Sequence, residues 1–316
     1  MDIQVKEPII IVGIGSAGYK LASQAGNIPG ADVLAVSNDQ ADLQAEASIR
    51  VSTAPVVNPT VQLIRGSSYK VHDDIRDKIS GYATVILMAN LAGKAGAALA
   101  PTISQICKDA DKNVISFAIM PFKYEKNRIF SSGVALKRLR EYSGCTIVMD
   151  NDALLENNPN LSPNSCFEVA NKAILYVVDS LKTSAISQDT SILTTGTNNS
   201  DMEESLKGAL KMLYDDAPPD AIKSSMLYVS GGNNIPVGIL NSIGNLTRGV
   251  LRENNSQVDL ESTSSEESKV VMLSTIQGMT KFDSYDPLGV IPQENTLDWS
   301  EPESSIGCKL DLYQLE

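Results

Sequence analysis

The sequence predicts an α/β fold, in which a doubly wound parallel sheet is joined by a long central helix to a smaller α+β domain. Three observations predict it. Apolar runs of strand length alternate with helical patterns over the first half of the chain. Two of those strands pass through glycine-containing loops directly into helices. A stretch of helical periodicity then precedes a change in pattern, after which strands and helices follow one another at shorter intervals.

The elements follow in order. Residues 9–12, IIIV, form a buried-strand run leading into Gly13-Ile14-Gly15-Ser16-Ala17-Gly18 and a helix beginning YKLASQAGN. VLAVS at 33–37 is a second strand, ending at Asn38 and Asp39. TVILMAN at 84–90 leads through Leu91 to Gly96 into a helix expected from about Ala97 to Asp109, with Pro101 in its first turn. NVISFAIMP at 113–121, a helix near 132–143 and CTIVMDN at 145–151 complete a nucleotide-binding type of domain over 1–162. From Pro163 to about Ser187 the residues Phe167, Ala170, Ile174, Val177, Val178 and Leu181 recur at helical intervals, giving a central helix within 163–188. The α+β domain occupies 189–282: TSILTTGT, a helix at 200–215, MLYVSGG, a helix near 235–252 and KVVMLSTIQGM, with a polar, mobile loop expected at 261–268. Residues 283–305 read as a solvated acidic tail, and 306–315 regain alternating hydrophobics suited to docking on this chain or on a protein partner.

Composition narrows the function classes. A net charge of −12 over 316 residues opposes the basic face that phosphate backbones require, so nucleic acid is not an expected partner. No run of eighteen apolar residues occurs, and MDIQVKEP lacks the apolar core of a leader peptide, so no membrane insertion and a cytoplasmic location are expected. Cys107, Cys145, Cys166 and Cys308 are scattered, and His72 has no companion at ligand spacing, which argues against disulfides and a metal site. His72 stands beside acids as a solvated or capping residue, and no Ser/His/Asp constellation forms around it.

GxGxxG alone would suit an ordinary dinucleotide enzyme. Further segments in a fixed order resemble the tubulin/FtsZ superfamily: MPFKYEKNR at 120–128, LKRLREYSGCTIVMDNDALLE at 136–156, EVANKAILYVVDSL at 168–181 and YVSGGNNIPVGILNSIGNL at 228–246. They are similar, in turn, to the family's PFxFE loop, its helix–strand–NDxLL segment, its central helix and its glycine-pair strand and helix. The resemblance implies a GTP-binding domain, subunits that stack head to tail, and GTP held between subunits, with carboxylates of the next subunit positioning the attacking water.

Residue by residue, that implied site is incomplete. Gly13, Gly15, Ser16, Ala17 and Gly18 keep small residues where backbone N–H groups could face phosphate, although the same glycines would also serve a tight strand–helix turn. The family's GGGTGTG loop falls on Ala92, Gly93, Lys94, Ala95, Gly96, Ala97 and Ala98. Both threonine hydroxyls are missing, and added Cβ atoms crowd the approach to phosphate, while Lys94 could offset part of this with its charge. Where the family stacks and hydrogen-bonds guanine, the central helix carries Asn171 and Leu175, and leucine accepts no hydrogen bond. Glu125 and Arg128 match charged residues near the family's ribose-phosphate region or form a surface ion pair. Asn151, with Asp152, either belongs to the site or terminates a strand. Between the central helix and TSILTTGT the family has an acidic loop and a short helix. Here only about Ser184–Asp189 intervene, with Asp189 a lone carboxylate.

The expectation is a filament-type or cell-division scaffold with a degenerate GTP site and no catalytic residues, in which bound GTP is weak or absent. A working GTPase rearranged around Lys94 is the alternative. A dinucleotide oxidoreductase using Gly13, Gly15, Gly18 and Asp39 is the third reading, and it lacks a catalytic residue in 190–280.

Overall fold

The computed structural model describes residues 2–26, 30–181, 186–196, 201–231, 237–251, 257–264 and 269–286. Its elements are β1 (Asp2–Ile3), β2 (Ile9–Ile14), α1 (Gly15–Ala25), β3 (Ala31–Ser37), β4 (Ala47–Arg50), α2 (Val61–Ser68), α3 (His72–Ile79), β5 (Thr84–Asn90), α4 (Lys94–Asp109), β6 (Asn113–Met120), α5 (Lys126–Tyr142) and β7 (Cys145–Asp150). They continue as α6 (Asn151–Asn157), α7 (Pro163–Ser180), β8 (Ile186–Ser187), β9 (Thr190–Thr195), α8 (Met202–Asp216), β10 (Ile222–Gly231), α9 (Val237–Leu251), β11 (Gln257–Ser264) and β12 (Lys269–Ile276).

One ten-stranded sheet runs β11-β10-β12-β9-β7-β6-β5-β2-β3-β4, and β1 pairs with β8 in a small ribbon. From β4 to β9 every pairing is parallel; β12 is antiparallel to both β9 and β10, and β11 is parallel to β10. The central strands are apolar throughout because both faces are covered. Along β2, Ile10, Val12 and Ile14 join one core with α2–α5, α8 and α9, while Ile9 and Ile11 join the other with α1, α6 and α7. The helical stripe read on α7 is buried in that second core.

Several boundaries differ from the sequence reading. Helix α4 begins at Lys94, so Pro101 lies in its interior. Proline there cannot donate to the carbonyl four residues earlier. The Arg65 guanidinium of α2 takes that vacancy, its Nη2 donating to Ala97 O at 3.1 Å. Helix α5 begins at Lys126, ahead of the expected 132, and α7 stops at Ser180, short of Ser187. Part of the polar stretch at 261–268 is the end of β11, held by backbone pairing with β10 that needs no apolar side chains. The tail begins later than 283, because residues 281–285 form a 3-10 turn with Phe282 buried. Cys107, Cys145 and Cys166 are buried free thiols. Among the described residues no helix is long and apolar enough to cross a membrane. The expectations placed on Gly232, on 265–268, on 182–185, on Cys308 and on the docking stretch at 306–315 lie outside the described residues.

Replacing Arg65 with Met should leave Ala97 O buried and unpaired, lowering stability by about 1–3 kcal/mol in denaturant unfolding. An unchanged midpoint would show that the guanidinium is not what satisfies that carbonyl.

Candidate nucleotide site

The sheet order gathers the sequence-selected residues along one edge. β7, β6, β5, β2 and β3 lie side by side in parallel, and their C-terminal ends lead respectively to Asn151, to Glu125 and Arg128, to Gly93–Gly96, to Gly15–Gly18 and to Asp39. The connections leave β2 and β5 in opposite directions, which makes the space between them the topological switch point where α/β sheets bind ligands.

The two glycine loops meet at that point. Gly15 adopts φ +65, a conformation that favours glycine, and a side chain on it would begin 3.1 Å from Ala95 Cβ. Gly18 and Gly96 serve close packing: a Cβ on Gly18 would run into the Met88 carbonyl of β5, and one on Gly96 into the Asn90 carbonyl. Both helices are thus seated on the last residues of β5. Neither α1 nor α4 has a side-chain cap or an acid in its first turn, so the N–H groups at both ends keep their attraction for an anion. The Lys94 ammonium reaches Asn58 Oδ1 at 2.6 Å on the loop opposite.

Most of the remaining sequence-selected residues have local partners. Asp39 accepts from Ala41 N at 3.0 Å and caps a 3-10 turn. Glu125 pairs with Arg128 at 2.8 Å and accepts from Phe122 N, the arrangement of a local ion pair. Asn151 is the first residue of α6, 1% exposed, and its Oδ1 has no hydrogen-bond partner. Such a buried acceptor is rare and marks a place where a donor could be supplied. Asp152 accepts from Lys123 N at 2.8 Å, which ties the loop after β6 to α6. Asn171 and Leu175 lie half-buried on α7, and Leu175 packs against the second core. Asp189 pairs with Lys223 at 3.3 Å on the surface. His72 opens α3 with Nδ1 3.6 Å from Asp73.

Sequence reasoning missed the charged cluster beneath this edge. Asp150, fully buried, accepts from Asp152 N at 3.0 Å and Ala153 N at 3.1 Å, and so caps α6. Lys281 pairs with Asp150 and, at 2.6 Å, with Asp216 at the end of α8. Burial and the nearby Asp150 carboxylate hold the Asp216 carboxyl well above its usual value, against the pull of Lys281. For Lys281 burial works downward, but the two carboxylates outweigh it and hold the ammonium above its ordinary 10.5. An Asp at a strand end before Asn-Asp-Ala was a legible capping signal for Asp150. Lys281 carried none, being more than a hundred positions away in a segment without periodicity.

A model of the Tubulin/FtsZ family GTPase domain matches residues 63–159. Over that stretch the chain resembles the tubulin/FtsZ superfamily, from whose individual relatives it diverges widely. Over 264 residues it is 25% identical to cell division protein FtsZ 1 of Pyrococcus woesei, covering 73% of this chain and 71% of that one. It is 28% identical over 182 residues to FtsZ 2 of Halobacterium salinarum, covering 54% and 46%. The chain thus spans from about half to under three quarters of these relatives. Among solved structures, the empty FtsZ dimer of M. jannaschii superposes with a TM-score of 0.71 at 20% identity, over 86% of this chain and 88% of that one. CetZ2 from Haloferax volcanii, solved as a GTPγS-bound protofilament, gives 0.67 at 16% identity, over 89% and 98%. Both likenesses are of fold.

Two outcomes follow. Gly96→Ala should cost about 1–3 kcal/mol by overpacking against Asn90, whereas Gly66→Ala, within α2 where an added Cβ meets nothing within 4 Å, should gain roughly 0.5–1 kcal/mol; equal midpoints would refute the packing argument. Because the folded state binds the Asp216 proton more tightly than the unfolded chain, that contribution is complete below the ordinary 3.8 and is lost as pH rises through the raised value. Asp216→Asn should therefore improve in stability relative to the wild type between pH 4 and pH 7, as read from paired urea titrations.

Proposed function

We propose that this chain is a self-associating scaffold of the FtsZ/tubulin type that keeps the nucleotide-binding frame and does not hydrolyse GTP. The observation that carries the reading is the short passage from α7 to β9. Residues 181–189, LKTSAISQD, contain a single carboxylate, Asp189, and its side chain is engaged with Lys223 at the surface. A neighbouring subunit built the same way offers little to orient an attacking water, and without such positioning phosphoryl transfer falls by orders of magnitude.

The fit to GTP is uneven along the ligand. At the phosphate end, two uncapped helix termini and Lys94 supply N–H groups and positive charge, while Ala95, Ala97 and Ala98 replace smaller or hydroxyl-bearing residues of the family loop. At the base end, Leu175 stands where the family accepts hydrogen bonds from guanine. A phosphate-holding site with weak preference for the base fits these residues better than a selective guanine pocket. The buried, unpartnered Oδ1 of Asn151 supports a second reading, in which a donor on a bound nucleotide completes the edge and the chain binds GTP through a rearranged loop around Lys94.

Head-to-tail stacking, a role in cell division or shape, and recruitment of a protein partner by residues 287–316 come to this chain from its relatives' names and from the tail sequence, and belong to the same proposal. The solved relatives include a dimer and protofilaments.

Sedimentation velocity across protein concentration and salt should show assembly that does not depend on GTP, with no phosphate release above the blank. A strictly monomeric profile would reject the scaffold. Phosphate release that rises with protein concentration and disappears in Lys94→Ala would reject the loss of hydrolysis and favour the rearranged site.

A further inference from the structure

Beyond β12 the chain turns back across the first half of the molecule. Gln277 N donates to Ala221 O at 2.7 Å, and a capping box then closes the 3-10 turn Lys281–Tyr285, with Thr280 N and Oγ1 both donating to Asp283 Oδ2, at 2.6 and 2.9 Å. Arg140, near the end of α5, donates to Asp283 Oδ1 at 2.8 Å and to Thr280 Oγ1 at 3.2 Å. Further back on α5, a Cβ on Gly133 would lie 2.6 Å from Tyr285 Cβ. Residues 277–286 therefore run antiparallel to α5, pressed against it where glycine leaves room. Phe282 is buried and meets Tyr285 edge to face at 5.7 Å.

This strap is not sealed to the helix. A cleft of about 300 Å³ remains between them, lined by Leu136, Lys137, Arg140, Met279 and Phe282, with Met279 66% exposed. Beside the burial of Phe282, two polar contacts fix the strap: Arg140 with Asp283 on the outer side, and Lys281 between Asp150 and Asp216 on the inner side. The inner contact reaches the candidate site through one carboxylate. Asp150 Oδ2 accepts from Ala153 N and also meets the Lys281 ammonium, and α6, which it caps, carries Asn151 and Asp152. If the ammonium withdrew, Asp150 and Asp216 would remain buried together, and an uncompensated buried charge is far more costly than an intact pair. The groups facing Lys281 are those two carboxylates, with Asp152 and the buried Tyr285 hydroxyl nearby.

We propose that residues 277–286 form a charge-keyed clasp, in which Lys281 seated between Asp150 and Asp216 fixes the N-terminus of α6 and with it the Asn151 edge of the candidate site. Seated and released strap are then two states of that edge. The clasp needs no bound nucleotide, so it stands or falls separately from the proposed function.

Amide hydrogen exchange on the full chain tests it. In Lys281→Met the amides of Asp152 and Ala153 should exchange about tenfold faster or more, together with Asp283, while β5 amides such as that of Ile86 keep their protection. Adding Asp216→Asn to Lys281→Met should restore most of the protection at α6. Asp283→Asn leaves the buried triad intact and loosens the strap from outside, so it decides the matter if Lys281→Met fails to fold, and the same two α6 amides should open. Faster exchange at Asp283 with α6 unchanged would overturn the clasp. So would a uniform loss of protection that includes β5, or a double variant no better protected than the single one.

Discussion

The close seating of two helices on the last turn of one strand governs this molecule. α1 and α4 both approach the end of β5 at residues without side chains, Gly18 against the Met88 carbonyl and Gly96 against the Asn90 carbonyl. Backbone packed on backbone leaves little freedom in the direction of either helix. Their N-termini consequently converge at the switch point between β2 and β5, and Asp39, Glu125, Arg128 and Asn151 follow the C-terminal ends of the other parallel strands along the same edge.

This explains why the frame of the candidate site is set by packing. The glycines that set the helices serve packing, so the fold itself retains them whether or not a ligand does. Residues with no packing duty are free to change. At the positions that the resemblance matches to the family loop's threonines the chain carries Ala95 and Ala97, and Leu175 on the central helix packs against the second core. Asp189, just before β9, pairs with Lys223 at the surface.

The parallel half of the sheet and the placement of the candidate residues were legible in the sequence, because buried strands and glycine-bearing turns leave local signals. The buried stripe of α7 was equally plain. Misreadings came where a distant partner overrides a local rule. Pro101 seemed to require the first turn of a helix, yet Arg65 on another helix supplies the hydrogen bond that proline forfeits. The strand β11 is polar in sequence and held by its pairing with β10, and the beginning of the acidic tail is folded because Phe282 and Lys281 find partners on the other half of the chain. None of these partnerships has a sequence spacing from which it could be read.

The Arg65–Pro101 arrangement also bears on ancestry. With an ordinary residue at 101, the Ala97 carbonyl would be satisfied within its own helix, and a guanidinium at position 65 would be dispensable. Proline arriving first would have left a buried acceptor stranded. Arginine arriving first would have been nearly silent and would have made the later proline tolerable. The order arginine then proline is the path that avoids an unstable intermediate, and once both are present the two do not revert with equal ease: loss of the arginine strands the carbonyl, whereas loss of the proline strands nothing.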